Sequence, residues 1–179
     1  MKSTLLLAAL ILPLSLLAQS QSNTKEQIDY KGFLQLTADT ERFRESRMLE
    51  LKEFVALSKK KDVIILDTRS TEAYDQRHIK GAVHLNFSDF TADKLAKVIP
   101  SKETTILIYC NNNFVNNPMA FAMKSPPLAL NIPTFINLIG YGYKNVYELG
   151  ALVTLPSEIL ELDGSLERGL LKVGKSPGE

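Results

Sequence analysis

The chain carries one thiol, Cys110, at the junction of an apolar run and a run of amides: TILIYCNNNFVNNP, residues 105–118. The thiolate is the nucleophilic form of cysteine, and positive charge or converging hydrogen-bond donors favour it. Five asparagines follow within seven residues: Asn111, Asn112, Asn113, Asn116 and Asn117. Asparagine tolerates left-handed backbone angles better than most residues, so this run suits a tightly curled loop. Backbone N–H groups and amide side chains of such a loop can converge on an anionic sulfur. The candidate site is therefore Cys110 as nucleophile, with Asn111, Asn112, Asn113, Phe114, Val115 and Asn116 as a substrate-binding loop. The alternative is a thiol that behaves as a small apolar residue, buried and inert at a strand end.

Four short apolar runs have to position this thiol: VIILD at 63–67, AVHLNF at 82–87, TILIY at 105–109 and NVYEL at 145–149. The first and third have continuous cores of Val, Ile and Leu, as in strands covered on both faces of a parallel sheet. Segments 71–77, 89–98 and 128–138 between them can be helical. Met48, Leu51 and Val55 recur at helical spacing and predict a further helix over about 39–60. Strands alternating with helices indicate an α/β fold with a mainly parallel sheet. Ligands of such sheets sit beyond the carboxyl ends of the strands. The first run ends in Asp67-Thr68-Arg69 and the third in Cys110, so both reach the same rim.

These pieces, taken in order, resemble the rhodanese-like domain. ILDTRSTEAYDQRHIKGAVHLN is similar to that family's strand, Asp-x-Arg, short helix and His-Ile-x-Gly-Ala turn. TILIYC is similar to the strand that delivers its cysteine, and GYKNVYELG to its closing turn and strand. The resemblance implies a three-layer α/β domain over residues 30–155, with a central, mainly parallel sheet flanked by helices. It implies that Cys110 attacks a small sulfur donor, holds the outer sulfur as a persulfide and passes it to a thiol acceptor. Asp67, Arg69, Glu72 and His78 then stand near the site in structural roles. Asp67 and Arg69 tie neighbouring loops, Glu72 is a partner for Arg69, and His78 belongs to a turn. No cofactor is implied.

The loop departs from the family pattern. No Gly, Arg or Lys lies between Cys110 and Lys124, and 33 residues separate Cys110 from Tyr143. Pro118, Pro126 and Pro127 oppose an immediate helix. An insertion is expected over about 114–127, longer than common connections. Thiosulfate is a dianion whose recognition gains from nearby positive charge, so it is not the expected donor. The competing reading is a non-catalytic rhodanese-fold module with Phe114, Met119, Phe121 and Met123 as a surface for a protein partner. Phosphatase chemistry is disfavoured, because no arginine follows Cys110 until Arg168.

The 179-residue chain begins with Lys2 and an apolar run, Leu5 to Ala18, broken by Pro13 and Ser15. Small residues Ala18 and Ser20 follow, which reads as a secretory signal peptide over 1–20 and predicts an extracytoplasmic, periplasmic or secreted protein. The run is shorter than the roughly 20 apolar residues of a stable membrane span. A linker is expected over 21–29 and a C-terminal extension over 156–179. Twenty-one basic against 20 acidic residues give no reason to expect a nucleic-acid partner. Two histidines and one cysteine form no recognisable metal-ligand spacing.

Overall fold

A computed structural model of the chain describes residues 27–173. The leader expected over 1–20, most of the linker and the tail from Gly174 lie outside those residues. The described chain forms α1 (Tyr30–Arg44), β1 (Met48–Leu49), α2 (Leu51–Ser58), β2 (Val63–Asp67), α3 (Thr71–Gln76), β3 (His78–Ile79), β4 (Val83–His84) and α4 (Ala92–Val98). There follow β5 (Thr105–Tyr109), β6 (Phe114–Val115), α5 (Asn131–Gly140), β7 (Val146–Leu149), β8 (Val153–Thr154), β9 (Leu162–Asp163) and α6 (Ser165–Val173).

Five strands pair in the order β1-β7-β5-β2-β4, all parallel. The sheet divides two apolar layers because successive strand residues point to opposite faces. Ile65, Leu107, Tyr109 and Leu149 pack with Phe54 of α2 on one face. Leu66, Ile106, Ile108 and Val146 pack with Leu95 of α4 and with Phe135 and Leu138 of α5 on the other. Phe43 of α1 also packs against this second layer. Burying each large aliphatic side chain contributes about 1.5–3 kcal/mol. The fold is therefore α/β and three-layered, with β5 at its centre.

The helix expected over 39–60 is two helices. The chain leaves α1 at Arg44, makes a 3₁₀ turn over Glu45–Arg47 and adds β1 to the edge of β7, Met48 opposite Glu148 and Leu49 opposite Leu149. It then re-enters helix at Leu51 through a capping box of Glu50 and Glu53. Pairing with a free sheet edge outweighs helical spacing here, and a two-residue strand has no period to read. Likewise β4 covers only Val83–His84 of the expected 82–87, and Asn86 caps a 3₁₀ turn at Phe87–Asp89. Helix α5 stops at a glycine: Gly142 has φ +87° and Tyr143 N–H donates to Leu138 C=O.

The segment after Pro156 is built into the domain. Strand β9 pairs antiparallel with β3, Leu155 and Leu160 are buried in the first apolar layer, and Arg77 is ion-paired with Glu167 of α6. Among the described residues no helix is long and apolar enough to cross a membrane.

Candidate active site

Strand β5 is hydrogen-bonded to β2 and β7, so its last residues are held by both neighbours. Cys110 follows directly, 2% exposed and with no disulfide partner. The next three residues, Asn111–Asn113, make a 3₁₀ turn whose N-cap is Cys110. The two ends of this turn face each other in a capping box, the Cys110 side chain toward the Asn113 N–H. Cys110 N–H in return donates to Asn113 Oδ1 at 2.9 Å.

Asn113 is the staple of the site. Its Nδ2 donates to Leu149 C=O at 2.7 Å and to Ala151 C=O at 3.3 Å. Its Oδ1 also accepts from Asn131 Nδ2 at 3.3 Å. One buried amide thus joins the backbone of Cys110, the end of β7 and the first residue of α5, with its donors and acceptor satisfied.

Asn112 lines the same cleft as Cys110, but its amide, like that of Asn111, bonds elsewhere. Asn111 Oδ1 accepts from Arg69 and its Nδ2 donates to Ala122 C=O. Asn112 makes a reciprocal pair with Lys124, donating to its C=O at 2.7 Å and accepting from its N–H at 3.0 Å. Both side chains satisfy the irregular backbone of the inserted segment, whose polar groups have no ladder of their own. Three further expected loop residues leave the site. Phe114 is buried and stacks on Phe121, Val115 pairs in β6 with Thr154 of β8, and Asn116 takes φ +66° facing a different groove beside Arg77. The insertion is therefore partly core: Phe114, Ala120 and Phe121 are buried, while Met119 and Met123 are exposed. Phe114 and Phe121 cannot belong to an outer contact surface.

Behind the loop, Asp67 and Arg69 form a buried ion pair. Arg69 Nε donates to Asp67 Oδ1 at 3.0 Å, Nη1 to Asn111 Oδ1 and Ala120 C=O at 3.2 Å each, and Nη2 to Arg77 C=O at 2.6 Å. The guanidinium lies 4.7 Å from the Phe121 ring centroid. Tyr109 OH donates to Asp67, and burial followed by the Asp67 charge pushes its own pKa well above the ordinary phenol range. This network ties three loops together. Glu72 is not part of it: it is exposed at the start of α3, where its own N–H and Ser70 hold its pKa below the ordinary carboxylate range. His78 is buried, bonded through Nδ1 to Tyr74 C=O at 2.7 Å and stacked on the Tyr74 ring. Neither Glu72 nor His78 lines the cleft at Cys110.

That cleft has a volume of about 160 Å³, and its walls include Arg44, Cys110, Asn113, Asn131, Glu148 and Gly150. The N-terminus of α5 opens onto it through Asn131, and no side chain caps that end. Most donors of this first turn are already used or missing: Ile132 N–H is bonded to Ala129 C=O, Thr134 N–H to Leu130 C=O, and Pro133 has no N–H.

Arg44 and Glu148 are the functional candidates that the sequence reading did not find. Arg44 ends α1, and Glu148 sits in β7 opposite Met48 of β1 and Ile108 of β5. They form an ion pair in which Glu148 is 1% exposed, yet neither carboxylate oxygen accepts a well-aligned hydrogen bond from the protein. Burial raises the pKa of Glu148, and the charge and hydrogen-bonding of Arg44 only partly offset this. An acid inside the apolar run NVYEL was the available signal for Glu148. Arg44 had none, because it lies 66 residues from Cys110. The cation missing from the loop is thus supplied from α1, already paired with an anion.

The match to known proteins covers the same elements. The family model of the rhodanese-like domain matches residues 50–150. Thiosulfate sulfurtransferase GlpE of Coxiella burnetii is 28% identical over 95 residues, which are 52% of this chain and 70% of that protein. Thiosulfate sulfurtransferase PspE of Escherichia coli is 33% identical over 46 residues, 26% of this chain and 43% of that one. Among solved structures, the BH2092 protein of Bacillus halodurans superposes with a TM-score of 0.47 at 20% identity, covering 72% of this chain and 85% of that one. A rhodanese with anions from E. coli has a TM-score of 0.38 at 19% identity, covering 57% and 99%. With the matched model spanning more than half the sequence, from the start of α2 to the turn after β7, this chain belongs to the rhodanese-like sulfurtransferase family.

Proposed function

We propose that this protein is an exported sulfur carrier in which Cys110 takes up a sulfur atom from a small donor and delivers it to a thiol. The supporting observation is the placement of Cys110: it ends the central strand and lines a cleft beside the Asn113 N–H and the uncapped N-terminus of α5. The thiolate is the form of cysteine that reacts. The thiolate attacks the outer sulfur of the donor, the bond joining that sulfur to the rest of the donor breaks (S–S in thiosulfate or a polysulfide, C–S in mercaptopyruvate), and its electron pair departs on the leaving group. A second thiolate then attacks the Cys110 persulfide and removes the same sulfur. The names of the relatives in Coxiella burnetii and E. coli support this reaction class.

Intact-mass measurement after incubation with thiosulfate, mercaptopyruvate or polysulfide tests the reading. A gain of one sulfur atom, about 32 Da, that is absent in Cys110→Ser is expected. No gain with any of the three donors refutes it. Export rests on the apolar leader, and cell fractionation that finds the chain only in the cytoplasm, leader intact, overturns that part.

A binding role is favoured by one separate observation: Met119, Met123 and Leu128 on the insertion are all exposed. Deleting the insertion would remove the core residues Phe114 and Phe121, so Met119→Lys with Met123→Lys is the sounder probe. Crosslinking to a partner that survives this double change contradicts the binding role.

A further inference from the structure

The cleft at Cys110 contains buried polar groups that the fold leaves without partners. Asn131 is 7% exposed, and its Oδ1 has no hydrogen-bond donor. Its orientation is fixed by its neighbour. Asn113 spends Nδ2 on Leu149 and Ala151, so it presents an acceptor to Asn131, which must answer with Nδ2. The free Oδ1 of Asn131 is therefore forced by the network. Glu148 adds a second acceptor, since its Oε2 also lacks a donor. On the donor side, the buried Nε of Arg44, which also lines the cleft, is unpartnered. Unsatisfied buried polar atoms are uncommon in folded proteins and each needs an explanation.

The charge pattern points the same way. Among the described residues lining the cleft, the only cation, Arg44, is already paired with the only carboxylate, Glu148. The cleft thus has no net positive charge for a dianion, but it has two acceptors waiting for a donor. A primary ammonium carries three N–H donors and one positive charge, which fits a carboxylate oxygen and an amide oxygen together.

Building on the proposed sulfur transfer, we infer that the Cys110 cleft takes its sulfur from an amine-bearing persulfide, with the ammonium held by Glu148 and Asn131. The step balances without a further reagent. Cys110 thiolate attacks the terminal sulfur of R–S–S–H, and a bond forms between that sulfur and Cys110 Sγ. The donor's S–S bond breaks, its electron pair leaves as R–S⁻, and the hydrogen stays on the transferred sulfur.

The test uses the reduced full-length protein and four donors: the persulfides of cysteine, cysteamine and 3-mercaptopropionate, and thiosulfate. The rate of Cys110 persulfide formation is read by intact mass. Both amine-bearing persulfides load faster than the mercaptopropionate persulfide, by about tenfold or more for a charged hydrogen bond. A tie between the two places recognition on the ammonium alone, while a lead for cysteine adds Arg44 Nε as a partner for its carboxylate. Glu148→Gln collapses the preference and raises loading from thiosulfate, because it leaves Arg44 unopposed. The ratio between donors is internal to each variant, so a partly unfolded sample does not mimic the result. Equal loading from all persulfides, or an amine preference that survives Glu148→Gln, overturns the inference while leaving Cys110 as a sulfur carrier. No loading from any donor overturns the sulfur transfer itself, and the inference with it.

Discussion

Asn113→Ala tests whether one buried amide holds the site together. The substitution removes two short hydrogen bonds, from Cys110 N–H at 2.9 Å and to Leu149 C=O at 2.7 Å. Two longer contacts at 3.3 Å, with Asn131 and Ala151, count for less. Leaving a buried donor or acceptor unsatisfied costs about 1–3 kcal/mol. Water entering from the adjoining cleft recovers part of that, so the expected loss is about 2–4 kcal/mol. With urea m-values of about 1–3 kcal/mol/M, the unfolding midpoint falls by about 1–2 M. Asn112→Ala is the control: its reciprocal pair with Lys124 is exposed, and its loss stays within about 0.5 kcal/mol. Equilibrium urea unfolding of both variants decides. A loss below about 1 kcal/mol for Asn113→Ala at unchanged m, or equal losses for the two, refutes the reasoning.

Arg69→Met removes one partner of a buried ion pair and leaves Asp67 charged behind the loop, so a loss of about 3–5 kcal/mol in urea unfolding is expected. Glu148 carries a pH signature. Its pKa is raised by burial, so the native state binds its proton more tightly than the unfolded chain does. Stability therefore falls as pH rises from the unfolded carboxylate value toward the elevated native one. Glu148→Gln lacks this slope and gains on the wild type across the same window; a stability difference flat in pH, or of opposite sign, contradicts the assignment.

The central elements were legible because burial dictated their composition. VIILD and TILIY are covered on both faces and are apolar apart from Asp67 and Thr105 at their ends, so their type and their common rim could be read directly. Cys110 followed from its place at the end of the second run. The amide loop was read as a cradle for sulfur because the residue type suits one. In the fold, the Asn113 amide bonds the Cys110 N–H, while the amides of Asn111 and Asn112 serve the insertion's backbone. Nothing local distinguishes these uses, since the partners of Asn111 and Asn112 lie 11 and 12 residues away. Strand β1 was hidden inside a helical period because two residues are too few to impose one of their own. Arg44 and Glu148 meet only when β1 docks on β7, a tertiary event that no spacing encodes. Glu167 likewise reaches Arg77 across 90 residues, which draws the C-terminal segment into the domain.

The most direct measurement follows one sulfur atom through the protein. Cys110 is loaded with isotopically labelled sulfur, excess donor is removed, and an acceptor thiol is added while both products are weighed. One labelled sulfur per chain should leave Cys110 and reappear as a persulfide on the acceptor. Label that stays on the protein, or an acceptor that is sulfurated equally well by Cys110→Ser, contradicts the account.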